Sequence, residues 1–308
     1  MSRRHLVVLG SLNMDMVIRA PRLPVPGETV EGHEFVTVLG GKGANQAVAA
    51  ARLGAPTFMV GRVGNDGFGR ALLAGLREAG VNAEGVWVDE GVRSGVAVIV
   101  VDQEGQNQIV LAAGANGRVG NDDVARLRPR LEGAAALLLQ LEVPLPAVLE
   151  AAKAARAAGV PVILDPAPAR EGLPNEVFRL ADVLTPNEAE ASCLAGFPVT
   201  TAEEAARAVR VFRQRGANTV IIKRGAQGIF WASDAGEGMM PAFPVQAVDT
   251  VAAGDAFNAA LAVALAEGRS FHQALVWGVA AGALAVTKHG AQPAMPTRQM
   301  LERFLASS

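Results

Sequence analysis

Residues 135–164 read AALLLQLEVPLPAVLEAAKAARAAGVPVIL. The apolar run Ala135–Leu141 has the make-up of a buried strand, Leu145–Ala158 carries a helical pattern, and Val160–Leu164 is strand-like again. Strand, helix and strand in succession make a β-α-β crossover, almost always right-handed, which sets the two strands parallel in one sheet. The rhythm continues on both sides. Strand-like runs at His5–Gly10, Phe58–Val63, Val183–Leu184 and Thr219–Ile222 alternate with helical patterns at Ala44–Leu53, Gly67–Ala79, Ala202–Arg215 and Ala256–Ala266. The expected fold class is α/β, a doubly wound, mainly parallel sheet flanked by helices on both faces.

Two stretches break the rhythm. Met16–Leu39 and Gly95–Ala112 supply extended chain with no helix between the segments, and the second reads as a hairpin, Gly95–Val101 and Gln108–Leu111 joined by the polar turn Asp102–Gln106. They are expected to form a small β-sheet lid over one end of the main sheet; an edge extension of the main sheet fits the pattern equally well. On the first reading the core comprises residues 1–13, 40–93 and 113–308, and the lid residues 14–39 and 94–112.

Half of the 308 residues are hydrophobic and 19% are charged, the composition of a globular chain with a large core. No uninterrupted apolar run approaches the roughly 18 residues of a membrane span, and the N-terminus enters a strand-like run without a secretory apolar region. A cytoplasmic location is expected. One cysteine, Cys193, excludes an internal disulfide, and the histidines His5, His33, His272 and His289 never fall at zinc-ligand spacing. Net charge is −2, with no basic run and 5% aromatics, so nucleic acid is not an expected partner.

The residues that carry chemistry stand at strand and helix ends. Asp249-Thr250-Val251-Ala252-Ala253-Gly254-Asp255 leads directly into the helical run Ala256–Ala266. Small residues at a helix N-terminus expose N–H groups to an anion, and an aspartate there can accept a hydroxyl proton beside a transferring phosphoryl group. Asp255 as a simple helix cap is the competing reading. Gly40-Gly41-Lys42-Gly43-Ala44-Asn45-Gln46 joins extended chain to the helix Ala47–Leu53. It is not a Walker A loop, because Val36 and Gly43 stand where that motif needs Gly and Ser or Thr. Its glycines allow close approach to a polar ligand, with Lys42 and Asn45 as donors; a tight turn before a helix accounts for it equally well.

Asn13 and Asp15 follow the first strand at alternate positions, and Glu142 follows Ala135–Leu141, so all three sit where open α/β sheets bind ligands. Carboxylates and an amide on one rim suit a polyol; each alone is an ordinary loop residue. Asn187 and Glu190 open a short helix three residues apart, placed to hold a phosphate and a metal-bound water or merely to offset the helix dipole. Lys223-Arg224-Gly225-Ala226-Gln227-Gly228 follows Thr219–Ile222 as a nucleotide loop or a plain hairpin turn. The glycines Gly61, Gly64 and Gly67 do not make the dinucleotide-binding pattern GxGxxG.

In this order the set resembles the ribokinase (PfkB) family of carbohydrate kinases over nearly the whole chain. Gly40–Gln46 is similar to the family's sugar-side motif and Asp249–Asp255 to its anion-hole motif, while Asn13-Met14-Asp15, Gln140-Leu141-Glu142, Asp165–Arg170 and Gly290-Ala291-Gln292-Pro293 add to the likeness. The resemblance implies transfer of the γ-phosphoryl group of ATP to the 5-hydroxyl of D-ribose. Asn13, Asp15, Gly41, Lys42, Asn45 and Glu142 would bind the sugar, Asp255 would be the general base, and Ala252, Ala253 and Gly254 would form the anion hole. Asn187, Lys223, Gly225, Gly228 and Gly254 would meet ATP, with Glu190 organising Mg²⁺ indirectly. An activating K⁺ would lie among Asp249, Val251, Val286, His289 and Ala291, largely on backbone carbonyls, with Met295 nearby. The exposed edge expected of a small sheet also leads us to expect a homodimer paired through the lids.

Three residues depart from the family pattern. Ala252 stands where the wider family usually has Gly, Lys223 where a smaller hydroxyl residue is common, and Met295 offers no side-chain oxygen to a cation. Deoxyribose, nucleoside and fructose kinases are the neighbouring activities; a sugar-binding regulator without catalysis would have no use for Asp255, Gly254 and Glu190 together.

Overall fold

The computed structural model describes residues 4–307. Its parallel strands are β1 (Leu6–Leu9), β4 (Thr57–Gly64), β5 (Asn82–Asp89), β8 (Ala136–Leu139), β9 (Val162–Leu164), β10 (Val183–Leu184) and β11 (Thr219–Lys223). Two antiparallel strands, β12 (Ile229–Ser233) and β13 (Gly236–Met240), extend the edge beyond β11. Among the described residues these nine form one sheet in the order β13-β12-β11-β10-β9-β8-β1-β4-β5.

Alternation along the strands divides the core into two layers. Leu6 and Val8 of β1, Leu138 of β8 and Ile221 of β11 face one apolar cluster. Val7, Leu9, Leu137, Leu139, Val220 and Ile222 face the other. The first cluster is closed by α1 (Lys42–Arg52), α2 (Gly67–Glu78), α8 (Ala253–Ala266), α9 (Phe271–Ala285) and α10 (Arg298–Ser307). The second is closed by α3 (Asn121–Leu127), α4 (Leu145–Ala157), α5 (Asn175–Leu180), α6 (Glu188–Ala195) and α7 (Ala202–Gln214). Helices on both faces of a mainly parallel sheet are the arrangement the β-α-β rhythm requires.

A second sheet stands apart from the first. It contains β3 (Glu34–Gly40), β2 (Asn13–Arg19), β6 (Gly95–Val101) and β7 (Asn107–Ala112) in that order. β2 runs antiparallel to β3 and parallel to β6, and β6 and β7 form the hairpin. The two irregular stretches therefore pair with each other; the edge-extension alternative does not hold. One register position ties Asn13 to Gly40 on one side and to Gly95 on the other, so this sheet is rooted beside the end of β1.

Several element boundaries differ from expectation. The helix after Gly40 begins at Lys42, so Lys42–Gln46 are helical and not a loop. Gly41 is the reason: as N-cap it turns the chain at φ 90°, ψ 129°, a conformation closed to other residues, and the helix starts one residue later. No sequence pattern marks β5, β13, α3, α5, α9 or α10, and β12 is foreshadowed only by the hairpin alternative at residues 223–228. α9 is buried along most of its length against α8, and its Ala-rich apolar sequence has no polar face to set a clear period.

Candidate active site

Parallel strands end on the same side of a sheet, and here β1, β8, β9 and β11 deliver the polar residues of the site to one rim. Ser11 and Asn13 follow β1, Glu142 follows β8, Asp165 follows β9, and Lys223 ends β11. α1 and α8, packed on each other, complete the rim with their N-terminal turns.

Asp255 is the third residue of α8 and is 3% exposed. It is not the cap: Ala252 occupies that position at φ 59°, ψ 11°, with no side-chain hydrogen bond to the helix. The cap reading of Asp255 therefore fails. Ala252 is the one non-glycine residue with positive φ among the described residues, a local strain of about 1 kcal/mol or more that glycine would not carry. The Asp255 carboxylate turns to α1 instead, where Oδ1 accepts from Gln46 Nε2 at 3.0 Å and Oδ2 from Asn45 Nδ2 at 3.0 Å. Burial pushes its carboxyl up to about 6; the ammonium of Lys42 pulls it down, Asp165 pushes it up, and the two amide bonds favour the anion. A carboxylate so tuned is ionised at neutral pH and holds a proton more readily than free aspartate does.

On the sugar side, Glu142 Oε2 accepts from Ser11 Oγ at 2.5 Å, from the Lys42 N–H at 3.1 Å and from Asn13 Nδ2 at 3.3 Å. None of these bonds uses Oε1. Asn13 Oδ1 accepts from Asn116 Nδ2 at 2.8 Å, which fixes the Asn13 amide. The Asp15 carboxylate lies over Gly40, where any Cβ would fall 2.1 Å from Oδ2. Burial lifts Asp15 to about 7, with Glu142 and Asp255 adding repulsion. Asn45 Oδ1 is buried without a partner, an acceptor that a ligand hydroxyl would satisfy. Burial alone would lower Lys42, yet Asp255, Asp165, Glu142 and Glu190 together hold its ammonium well above the usual lysine range.

Both shifted carboxylates are raised, so the sign of the pH dependence is set. If the reaction needs Asp15 and Asp255 ionised, kcat/KM falls as pH drops through about 7 to 6. A carboxyl whose folded pKa exceeds its unfolded value stabilises the fold as it protonates, so these two groups do not unfold the protein in that window. A pH–rate profile with melting curves beside it checks this; a flat profile down to pH 5 would refute it.

On the nucleotide side, Asn187 and Glu190 form a capping box at α6: Glu190 N–H donates to Asn187 Oδ1, and Asn187 N–H and Nδ2 donate to the two Glu190 oxygens, all within 2.8–2.9 Å. The spacing is thus explained locally by the helix end. Glu190 nevertheless faces the site: burial and Asp165 raise it, against Lys223 and Lys42. Residues 224–228 form the turn of the β11–β12 hairpin, Gly225 and Gly228 supplying positive φ. The hairpin reading therefore holds, and the turn lies beside the start of α6 because Lys223 bridges to Asn187.

The residues expected around a monovalent cation lie on two loops joined by hydrogen bonds. The Asp249 carboxylate accepts from the Val251 N–H at 3.0 Å and from the Gly290 N–H at 2.9 Å, and the Val286 carbonyl accepts from the N–H groups of Val248 and Asp249. His289 is exposed, Ala291 is buried beside it, and Met295 packs into the apolar core. Among the described residues no group of three or more acidic, histidine or cysteine side chains is placed to hold a metal.

Four residues that knit the site have no role assigned to them from the sequence. Gln46 donates to Asp255 and, at 3.4 Å, to Asp165, while its Oε1 accepts from Gln140 Nε2 at 2.7 Å. Asp165 receives Lys223 Nζ at 3.1 Å. Asn116 locks Leu12 and Asn13. Gln46, Gln140 and Asp165 lay inside quoted motifs, but nothing local marks a buried cross-link.

Residues 3–298 match the model of the pfkB family carbohydrate kinases. The chain is 42% identical over 303 residues to a ribokinase of Haemophilus influenzae, covering 98% of this chain and 99% of that one. It is 43% identical to a ribokinase of Bacillus subtilis, covering 98% and 100%. The structure of Arabidopsis thaliana ribokinase complexed with ribose and ATP superposes with a TM-score of 0.91 at 38% identity, covering 99% of each chain. With a match of this length and a rim of this chemistry, the chain belongs to the pfkB family of carbohydrate kinases.

Proposed function

We propose that the protein transfers the γ-phosphoryl group of ATP to the 5-hydroxyl of D-ribose, with Asp255 as general base. The observation that carries the reading is Asp255 itself: a buried carboxylate, tuned near neutrality, in the first turn of a helix and hydrogen-bonded to Asn45, whose free Oδ1 can accept from a sugar hydroxyl. As the bond from the sugar oxygen to phosphorus forms and the bond from phosphorus to the ADP oxygen breaks, the hydroxyl proton passes to Asp255. The N–H groups at residues 253–255 supply donors for the transferring group. Asn13, Asp15, Asn45 and Glu142 orient the sugar; Gly41 admits it close to the backbone and Lys42 offsets the accumulated negative charge.

Magnesium bound with ATP would neutralise phosphate charge. Both Glu190 oxygens already accept from Asn187, so Glu190 fits a water-mediated contact with the ion better than direct ligation. The oxygens around Asp249, Val251, His289 and Ala291 suit a hard monovalent cation such as potassium; Val286 fits least, its carbonyl already accepting twice. An ion held there would order the turn that leads into α8.

ATP consumption measured against ribose, deoxyribose, fructose and nucleosides, in potassium and in sodium at matched ionic strength, tests the reading. Ribose in potassium is expected to give the highest turnover. Preference for another acceptor would replace the substrate, and equal turnover in both salts would remove the potassium assignment. A non-catalytic sugar-binding role predicts binding of ribose without ATP turnover.

The same reading includes a homodimer through the small sheet. Its edge strand β7 is exposed throughout, with Ile109, Val110 and Leu111 open to solvent, and Phe35 and Val36 are exposed on the opposite edge strand β3. Unpaired edges carrying apolar side chains are covered in stable proteins, and a second copy covers both chemically alike surfaces at once. Light scattering at micromolar concentration is expected to give twice the chain mass; a monomer alone would refute it. No helix among the described residues is long and apolar enough to cross a membrane, and a cytoplasmic location accords with the use of ATP.

A further inference from the structure

Lys223 places a positive charge against a helix N-terminus, the end that disfavours it. Its ammonium lies against the first turn of α8: a Cβ on Gly254 would fall 3.0 Å from Nζ and 3.7 Å from Cε. Helix N-termini carry partial positive charge and disfavour cations. The side chain is only 12% exposed, so it does not escape into water. Its backbone is pinned too, because Lys223 N–H donates to the Pro186 carbonyl at 2.8 Å and the residue bridges to Asn187. Its ion-pair partner is Asp165 Oδ1 at 3.1 Å, itself 2% exposed, and the charge of Glu190 is also felt there.

A buried ion pair contributes little net stability compared with uncharged residues of similar shape. As a structural device alone, this pair would be a costly way to fill the space between β9 and β11. An anion placed at the α8 N-terminus changes the balance, since the helix N–H groups and the ammonium would then share one ligand. The Asp165 carboxylate marks where such an anion's oxygen would compete for Nζ, and it is joined through Gln46 to Asp255.

We infer that Lys223 is a catalytic residue that exchanges Asp165 for an oxygen of the transferring phosphoryl group, adding a positive charge to the anion hole. The inference rests on the phosphoryl-transfer reading above and extends it, because Lys223 supplies a full positive charge beside the N–H groups of the α8 N-terminus. Its target is the terminal phosphate end of the nucleotide, not the base or ribose.

The test separates that end from the rest. Lys223→Met keeps length and loses charge; Lys223→Arg keeps charge; Lys223→Thr restores a hydroxyl and serves if the Met variant does not fold, with melting curves run for each. Lys223→Met is expected to lower kcat by about 10- to 100-fold with KM for ribose little changed. In calorimetry with magnesium and no sugar, it is expected to weaken a non-hydrolysable ATP analogue by about tenfold or more and leave AMP unchanged. Lys223→Arg is expected to recover part of both losses. Equal weakening of the analogue and AMP, or kcat within about twofold of wild type in a folded Met or Thr variant, would overturn the inference. The binding arm needs no acceptor, so absence of any sugar kinase activity in the wild type would count against the proposed reaction while the comparison of analogue with AMP still decides on Lys223.

Discussion

Asp255→Asn is expected to lower kcat by about 10² to 10⁴ while the protein stays folded and still binds ribose and ATP. The substitution keeps the side-chain volume in a buried position and removes the group proposed to take the hydroxyl proton. Its effect on stability has two opposing parts. Removing an ionised carboxylate from a buried position relieves a desolvation cost, the cost that lifts Asp255 to about 6. Against that, Asn45 and Gln46 both donate to the present carboxylate, and an amide can accept from only one of them, which leaves a donor facing a donor. Each part is on the order of 1–3 kcal/mol, so the melting temperature is expected to shift modestly in either direction. Steady-state turnover in saturating ribose, Mg·ATP and potassium, with thermal melting beside it, gives the answer. A folded variant with near-normal kcat would remove Asp255 from the mechanism.

Gly41→Ala is expected to cost about 2 to 5 kcal/mol and to abolish efficient sugar binding. Two separate penalties add at this position. A side chain at φ 90° is strained, and the new Cβ would meet Asn13 N at 2.7 Å, Leu12 Cα at 2.9 Å and Ser11 O at 2.9 Å. All three are backbone atoms of the segment that carries the sugar rim, so relief requires moving either that segment or the start of α1. Gly159→Ala is the control: it has φ 68° but nothing within 4 Å of the added carbon, so only the strain of about 1–2 kcal/mol applies. Urea denaturation of the two variants distinguishes the cases. Equal losses at both positions would show that the close approach of α1 to residues 11–13 carries no energy.

Local pattern was enough where a segment's surroundings are uniform. A central parallel strand is apolar on both faces, and β1, β8 and β9 are legible as apolar runs for that reason. Capped helices with a distinct polar face are equally legible, as α7 is, opening on Thr201 with Glu204 three residues on. Strand β5 was missed because Glu84 and Trp87, exposed at the sheet edge, interrupt its buried residues. β12 is legible only as the far arm of the hairpin alternative at residues 223–228, because an antiparallel extension follows no crossover rule, and the short glycine-bearing β13 has little strand character. The start of α1 was misplaced because glycine is a poor helix former, and the structure uses Gly43 inside the helix to let it approach Gly10 and Ser11.

What the sequence determined by itself was the alternation of elements, the presence of two helix-free extended stretches, and the positions of polar residues at strand and helix ends. Those follow from periodicity and from which residues lie next to one another. That the two stretches pair with each other in a sheet of their own was decided by the structure. Only the tertiary structure decided how those residues act on each other: that Asp255 turns away from its own helix end to Asn45 and Gln46, that Asp165 stands between Lys223 and Gln46, and that Ala252 takes the left-handed cap. The partners of Asp255 lie more than 200 residues away in the chain. Burial, which sets its proton affinity, depends on α1, α8 and the sheet closing over one another, and no local window of the sequence contains that information.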